Sequence, residues 1–208
     1  GIKMEDPGAE NDRYIEEYAS AVREDLFVDA QSFAGLRWGF VSDQRDDELF
    51  PQRGSHFTIS GKNLASISAK GDNFSAYQSS LAFFYSVRPR SRVVFAARVG
   101  GGINAGEYPF YQAQILDGKQ ELRGYRKTRF YGDSKIYGNF ETRLRLASFR
   151  SYLFPATFGL LGFYDMGRIW YKNDDGVDPS APEGNSARWH HGFGGGVWFT
   201  PFNLTILF

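Results

Sequence analysis

The segment KIYGNFETRLRL, residues 135–146, alternates apolar and polar side chains almost without interruption. Ile136, Phe140, Leu144 and Leu146 fall on one face of an extended chain. The other face carries long or charged side chains, namely Lys135, Asn139, Glu141, Arg143 and Arg145. Because successive side chains of a β-strand point to opposite faces, this pattern predicts a strand with one apolar and one polar face.

Similar alternation recurs on both sides of this segment. It predicts eight strands in all, over residues 33–41, 54–67, 74–87, 92–104, 135–146, 156–171, 189–200 and 203–208. The stretch between the fourth and fifth strands, residues 105–133, shows little strand pattern. Irregular segments of this length are uncommon in compact domains and are usually functional or disordered.

The direction of the apolar face separates two fold classes. In a soluble β-sandwich or barrel the apolar side chains point inward, and this alternative stays open. Three features favour a membrane barrel. The strands reach about 12 residues, longer than the usual soluble strand and enough to cross a tilted bilayer span. Aromatic residues are expected near strand ends, as at Trp38, Tyr85, Trp170 and Tyr171, and the chain ends on an alternating apolar strand with Phe208. We predict an all-β, antiparallel transmembrane β-barrel of about eight strands.

Composition excludes several function classes. The 24 basic and 24 acidic residues cancel, so no overall field favours nucleic acid as a partner. Cysteine is absent, and the only histidines are His56, His190 and His191. The adjacent pair would face opposite sides of a strand, which makes a shared metal unfavourable. We predict no metal, no cofactor and no enzymatic activity.

The chain divides into two parts by pattern. Residues 1–31 are acidic and irregular, and we predict a linker or loop there, with a short helix over Tyr14–Leu26 as an equal alternative. Residues 32–208 form the predicted barrel. The longest uncharged run, residues 189–208, is interrupted by glycines and a proline and does not suit a spanning helix.

Four short motifs carry a resemblance to a known family. The first consists of SDQRD at 42–46 followed by FPQRG at 50–54, and the others are LRGY at 122–125, GNFE at 138–141 and FYDMG at 163–167. In this order they resemble the motifs of the BamA/TamA family of outer-membrane insertases and translocases, also called bacterial surface antigens. On this resemblance a strand-turn-strand signature includes Asp43, Arg45, Asp46, Pro51 and Gly54, and a later strand motif includes Phe163 and Gly167.

The resemblance also implies a site. In the family the Arg at the tip of a long inward-folded loop pairs with an Asp on a strand. Carried over, Arg123, Gly124 and Tyr125 form the loop tip, Arg123 binds Asp165, and Glu141 lies nearby on the inner surface. Removing one partner of such a pair would leave the other charge buried and without a partner.

The function that the resemblance implies is the insertion or translocation of polypeptides, or of lipids, at the bacterial outer membrane. The implied partners are outer-membrane lipid, unfolded barrel clients and accessory assembly proteins. Full family members have roughly twice as many strands, preceded by periplasmic domains. The chain therefore resembles either a fragment of a larger barrel or a reduced barrel. The alternative function is a passive structural or binding barrel that kept the motifs without insertase activity.

Overall fold

The computed structural model describes residues 32–67, 72–87, 93–126, 129–149, 156–170, 188–201 and 206–207. The predicted acidic linker at 1–31 lies outside the described residues, and so does Tyr171.

The described residues form ten β-strands and one short 3-10 turn. In chain order the strands are β1 (Phe33–Asp43), β2 (Gly54–Ser66), β3 (Phe74–Ser86), β4 (Val93–Gly106), β5 (Gln114–Leu116), β6 (Phe130–Gly132), β7 (Ser134–Phe149), β8 (Ala156–Trp170), β9 (His190–Pro201) and β10 (Ile206–Leu207). The turn spans Phe110–Gln112. Eight strands form one antiparallel sheet in the order β1-β2-β3-β4-β7-β8-β9-β10, while β5 and β6 pair separately as a hairpin.

The connection between β4 and β7, residues 107–133, folds back against the sheet and contains the β5–β6 hairpin; we call it the long loop. No strand signal is visible in this part of the sequence because three-residue strands are too short to show a period. Leu116, Leu122 and Phe130 of the long loop pack on Tyr137 of β7 and Ile169 of β8 in one buried cluster. The hydrophobic core therefore lies between the long loop and the inner face of the sheet.

The outer face of the sheet is apolar and exposed. Large hydrophobic side chains that are each more than a third exposed occur on every long strand except β2. They include Leu36, Phe40, Phe83, Tyr85, Phe95, Val99, Phe140, Leu160, Tyr164, Phe193 and Val197. A band of this extent suits contact with hydrocarbon and would be a liability in water. The inner face carries the polar side chains that the alternation predicted.

Trp38 departs from the predicted aromatic distribution. It lies in the middle of β1, opposite Gly61 of β2, so its assignment to a strand end is wrong. A Cβ at Gly61 would lie 2.6 Å from the Trp38 indole, so the ring occupies space that this glycine leaves open. Tyr85 and Trp170 do lie at or next to the ends of their strands.

Candidate functional site

A row of inward-facing residues crosses β4, β7, β8 and β9, and the long loop packs against it. The strand register places Arg98 of β4 opposite Asn139 of β7, Asn139 opposite Asp165 of β8, and Asp165 opposite Gly192 of β9. Asp165 is fully buried and Asn139 is 7% exposed. A buried carboxylate requires hydrogen-bond donors, and the long loop supplies them.

Arg123 of the long loop binds Asp165 through two side-chain nitrogens and its backbone. Nε donates to Oδ2 at 2.8 Å, Nη2 donates to Oδ1 at 2.8 Å, and the Arg123 backbone N–H donates to Oδ2 at 3.0 Å. Asn139 Nδ2 donates a fourth hydrogen bond, 2.8 Å long, to Oδ1. This bidentate arrangement fixes both the position and the orientation of the guanidinium group.

Glu141 is the second carboxylate at Arg123. Arg123 Nη1 donates to Glu141 Oε2 at 2.7 Å, and Arg143 Nε donates to Oε1 of the same carboxylate at 2.6 Å. The Phe163 ring lies against the guanidinium, with its centroid 3.8 Å from Arg123 Cζ. Burial alone would lower the pKa of Arg123, but its hydrogen bonds to Asp165 and Glu141 outweigh burial and raise that pKa. The side chain is therefore a permanent cation held by two carboxylates.

The residues after Arg123 turn the loop and dock it on β9. Gly124 has a φ of +97°, in the left-handed region that favours glycine. The Tyr125 hydroxyl donates to the backbone carbonyl of His191 at 3.2 Å, and its ring meets Phe130 edge-on at 5.2 Å. The three residues that the sequence singled out as the loop tip thus turn the chain directly against the strand wall.

Two glycines on the strands allow this close approach. A Cβ at Gly192 would lie 2.3 Å from the backbone carbonyl oxygen of Arg123. A Cβ at Gly167 would lie 2.7 Å from Leu116, which is completely buried. Gly167 was predicted as a motif residue, whereas Gly192 was not, since only the fold brings it to the loop.

Lys135 and Glu121 form a further anchor that sequence reasoning missed. Lys135 Nζ donates to both carboxylate oxygens of Glu121, at 2.7 and 2.8 Å, and to the Ile115 carbonyl at 2.7 Å. Asn139 Nδ2 also donates to the Glu121 carbonyl at 2.9 Å. Lys135 and Asn139 were placed correctly on the polar face of a strand, but their partners lie in a loop that carried no pattern.

Amide side chains join the hairpin to the wall on the other side of the long loop. Gln114 Nε2 donates to Asn104 Oδ1 at 2.7 Å, and Gln114 Oε1 accepts from Gln78 Nε2 at 3.0 Å. Gly102 faces the Gln114 amide, where a Cβ would be 2.4 Å away. The long loop is therefore attached to β3 and β4 as well as to β7, β8 and β9.

The strand-turn-strand residues lie elsewhere, in the connection between β1 and β2. We call residues 44–53 the short loop. Arg45 donates to both carboxylate oxygens of Asp43, at 2.8 and 2.6 Å, while Asp46 Oδ1 accepts from the backbone N–H groups of Gln52 and Arg53 at 2.8 and 3.0 Å. Gly54 closes the turn with a φ of +107°. The structure does not bring these residues into contact with Arg123.

Arg143 contacts both the short loop and the Arg123 network. Its guanidinium lies over the Phe50 ring, 4.6 Å from the centroid, and its Nη1 donates to the Pro51 carbonyl at 3.5 Å. Phe50 also packs on Trp198 of β9, with ring centroids 4.6 Å apart. Since Arg143 also binds Glu141, one chain of contacts connects the two loops.

The histidines of β9 point to opposite faces, as their adjacency predicted. His190 stacks on Phe130 of the long loop at 4.0 Å, and His191 Nδ1 lies 2.7 Å from the Tyr164 hydroxyl on the outer face. Among the described residues, no group of three or more histidine or acidic side chains could hold a metal ion. In the same ranges, no helix is long and apolar enough to cross a membrane.

Comparison with known protein families shows which family this chain belongs to. The Omp85 superfamily domain matches residues 2–204, nearly the whole chain. The chain belongs to the Omp85 superfamily. The family that the four motifs predicted is thereby confirmed.

Comparison with solved structures shows which fold this Omp85 chain has. Forty-two chains of solved structures resemble it. One is the crystal structure of BamA from Haemophilus ducreyi lacking POTRA domains 1–3, with a TM-score of 0.64 and 17% sequence identity. The match covers 80% of this chain and 37% of that chain, so the chain spans little more than a third of the BamA structure. No curated protein sequence matches it.

These matches confirm the predicted fold class, an all-β, antiparallel barrel of the outer-membrane type. Within the described residues the sheet is open, because no hydrogen bonds join β1 to β10. The inward-folded loop of the prediction is the long loop.

Proposed function

We propose that this Omp85 chain is an outer-membrane barrel unit that assists the insertion or translocation of polypeptides by a non-enzymatic mechanism. The observation that carries the proposal is the Arg123–Asp165 contact, which holds a long loop inside a wall whose outer face is apolar. The proposal takes residues 32–208 as the barrel domain and residues 1–31 as a linker.

The lengths of the connections support an orientation in the membrane. The longest connections, 107–133 and 171–189, leave the sheet at the same end, which we call the long-loop end. Outer-membrane barrels have longer extracellular loops and shorter periplasmic turns. We therefore assign the long-loop end to the cell exterior and the short loop to the periplasmic side.

The position of the long loop affects which route a client polypeptide could take through or along the barrel. It fills the space along β4, β7, β8 and β9 with a buried apolar cluster and charged contacts, so a polypeptide path through the centre is disfavoured. The edge of the sheet offers another route. Among the described residues β1 pairs only with β2, and a free strand edge can template an incoming strand by main-chain hydrogen bonding. Unfolded barrel proteins are the proposed clients, with outer-membrane lipid and accessory assembly proteins as partners.

A reconstitution experiment tests this function. Liposomes containing the protein should accelerate the folding of an unfolded barrel client relative to empty liposomes. A photo-crosslinking residue at position 40 on β1 should capture the client, whereas the same residue at position 83 on β3 should not. Phe40 and Phe83 are a matched pair, because both face outward and are 58% and 54% exposed. Equal crosslinking at the two positions would argue against a β1 template.

The second candidate function is a passive structural barrel. The loop-filled interior favours it, because a small barrel whose centre is occupied by side chains has no evident conduit. Client folding that is no faster than in empty liposomes would support this alternative.

A further inference from the structure

Arg168 is an outward-facing cation near the long-loop end of β8. Its neighbours Gly167 and Ile169 face the long loop, since a Cβ at Gly167 would meet Leu116 and Ile169 belongs to the buried cluster. Strand alternation therefore turns Arg168 to the opposite, outer face, opposite Ile136 of β7. It lies two residues before Trp170, where β8 ends.

Among the described residues, the guanidinium of Arg168 has no anionic partner. Its contact within this part of the chain is with the Trp170 ring, 4.9 Å from Cζ to the centroid. Its Nε is buried and makes no hydrogen bond. The arginines of the inner network bind carboxylates or carbonyls, whereas this one is placed where hydrocarbon meets the polar boundary of the bilayer. A charge on the lipid face is costly in the middle of the hydrocarbon but is tolerated near the interface, where anionic headgroups can pair with it.

The surroundings of Arg168 suit the headgroup region of a membrane. Gly167 pairs with His190, the first residue of β9, so Trp189, directly before β9, is next in register to Arg168, and it is 41% exposed. His191 and Tyr164 lie further along the same outer face, joined by their hydrogen bond. Tryptophan and tyrosine are typical of the membrane interface, and a planar guanidinium matches a phosphate group in two hydrogen bonds.

We propose that Arg168, flanked by Trp170 and Trp189, binds the phosphate of an anionic lipid headgroup at the long-loop end of the barrel. The guanidinium supplies the charge and the paired donors, and the indole rings lie at the level of the headgroups. The proposal rests on the membrane placement proposed above but does not require insertase activity.

Native mass spectrometry of the protein released from nanodiscs tests this site. The nanodiscs contain equal amounts of phosphatidylcholine and phosphatidic acid, and the first lipid retained by the protein is identified. The parent protein should retain phosphatidic acid about fivefold more often, the preference expected from one surface cation. Arg168→Gln should bring the ratio close to one, whereas Arg168→Lys, which keeps the charge, should retain most of the preference.

Arg37 provides the matched control. It is an exposed arginine on β1 that faces inward, opposite Lys62, so Arg37→Gln should leave the lipid preference unchanged. Equal retention of both lipids by the parent, or an unchanged preference in Arg168→Gln, would overturn the proposal. Binding of inorganic phosphate at Arg168 together with equal retention of the two lipids would show that the site takes a soluble anion and would also overturn the proposal. Retained lipid of either kind shows that the barrel is membrane-embedded, which separates failure of this site from failure of the membrane placement.

Discussion

The long loop and the short loop are held by different kinds of contact. Arg123, Glu121 and Leu122 attach the long loop to residues far away in sequence, several of them completely buried. The short loop is closed mainly by its own residues, with Asp43, Asp46 and Asp47 accepting hydrogen bonds from groups two to seven residues away. Its contacts with the sheet are made by Phe50, Pro51 and Arg53.

This difference indicates which loop determines the state of the barrel interior. The local hydrogen bonds of the short loop can form before the sheet is complete. The long loop can dock only after β7, β8 and β9 have assembled the row that contains Asp165. Docking of the long loop therefore depends on tertiary assembly. Substitutions at its anchor residues should lower the free energy of unfolding by more than substitutions in the short loop.

Arg123→Ala should lower the free energy of unfolding the most. It leaves Asp165 buried with hydrogen bonds only from Asn139 and from the backbone N–H of residue 123, and leaving one charge of a buried pair without its partner costs about 3–5 kcal/mol. Urea-induced unfolding followed by heat-modifiable gel migration measures the free energy of unfolding. Arg126→Ala is the control, because Arg126 is an exposed arginine of the same loop, and it should change the stability by less than about 0.5 kcal/mol. Equal effects of the two substitutions would show that the Asp165 contact does not stabilise the attachment of the long loop.

Gly192→Ala should have the second-largest effect on the free energy of unfolding. The new methyl group would lie 2.3 Å from the Arg123 carbonyl, a backbone atom that is held in place by the Asp165 contact. Overpacking of this kind costs about 1–3 kcal/mol, and it should also displace the loop tip. Gly162→Ala on β8 is the matched control, since a methyl group added there would meet nothing within 4 Å. The same unfolding assay applies, and a neutral Gly192→Ala would show that the loop does not approach β9 so closely.

Phe50→Ala, in the short loop, should have the smallest effect of the three. Loss of the Trp198 and Arg143 contacts of a half-buried ring should cost about 1–2 kcal/mol. Leu49→Ala is the control, because Leu49 is 69% exposed and its loss should be neutral. A cost for Phe50→Ala that equals or exceeds that of Arg123→Ala would reverse the ranking of the two loops.

The sequence predicted the strands well because their period is local. Lys135, Asn139, Glu141 and Arg143 are all on the inner face of β7, as the alternation indicated. Arg123 and Asp165 were paired on resemblance, and the structure places them in contact. Their role as a lock on the loop remains a proposal.

Other features depended on long-range geometry that no local pattern contains. The partners of Lys135 and Asn139 follow from the path of the long loop, and the need for glycine at position 192 follows from the Arg123 backbone. Trp38 was misplaced because the space that Gly61 leaves for the indole exists only once β1 and β2 are in register. In these sites the pairing of strands brings together residues that are far apart in sequence.

A double-mutant cycle on Arg123→Ala and Asp165→Asn tests most directly the claim that this contact fixes the long loop inside the barrel. If the two side chains act as one unit, the double variant should be little less stable than either single variant, so the coupling free energy should be close to the cost of one single substitution, about 3 kcal/mol. Free energies of unfolding that add to within about 0.5 kcal/mol would contradict the account, because the two residues would then contribute independently.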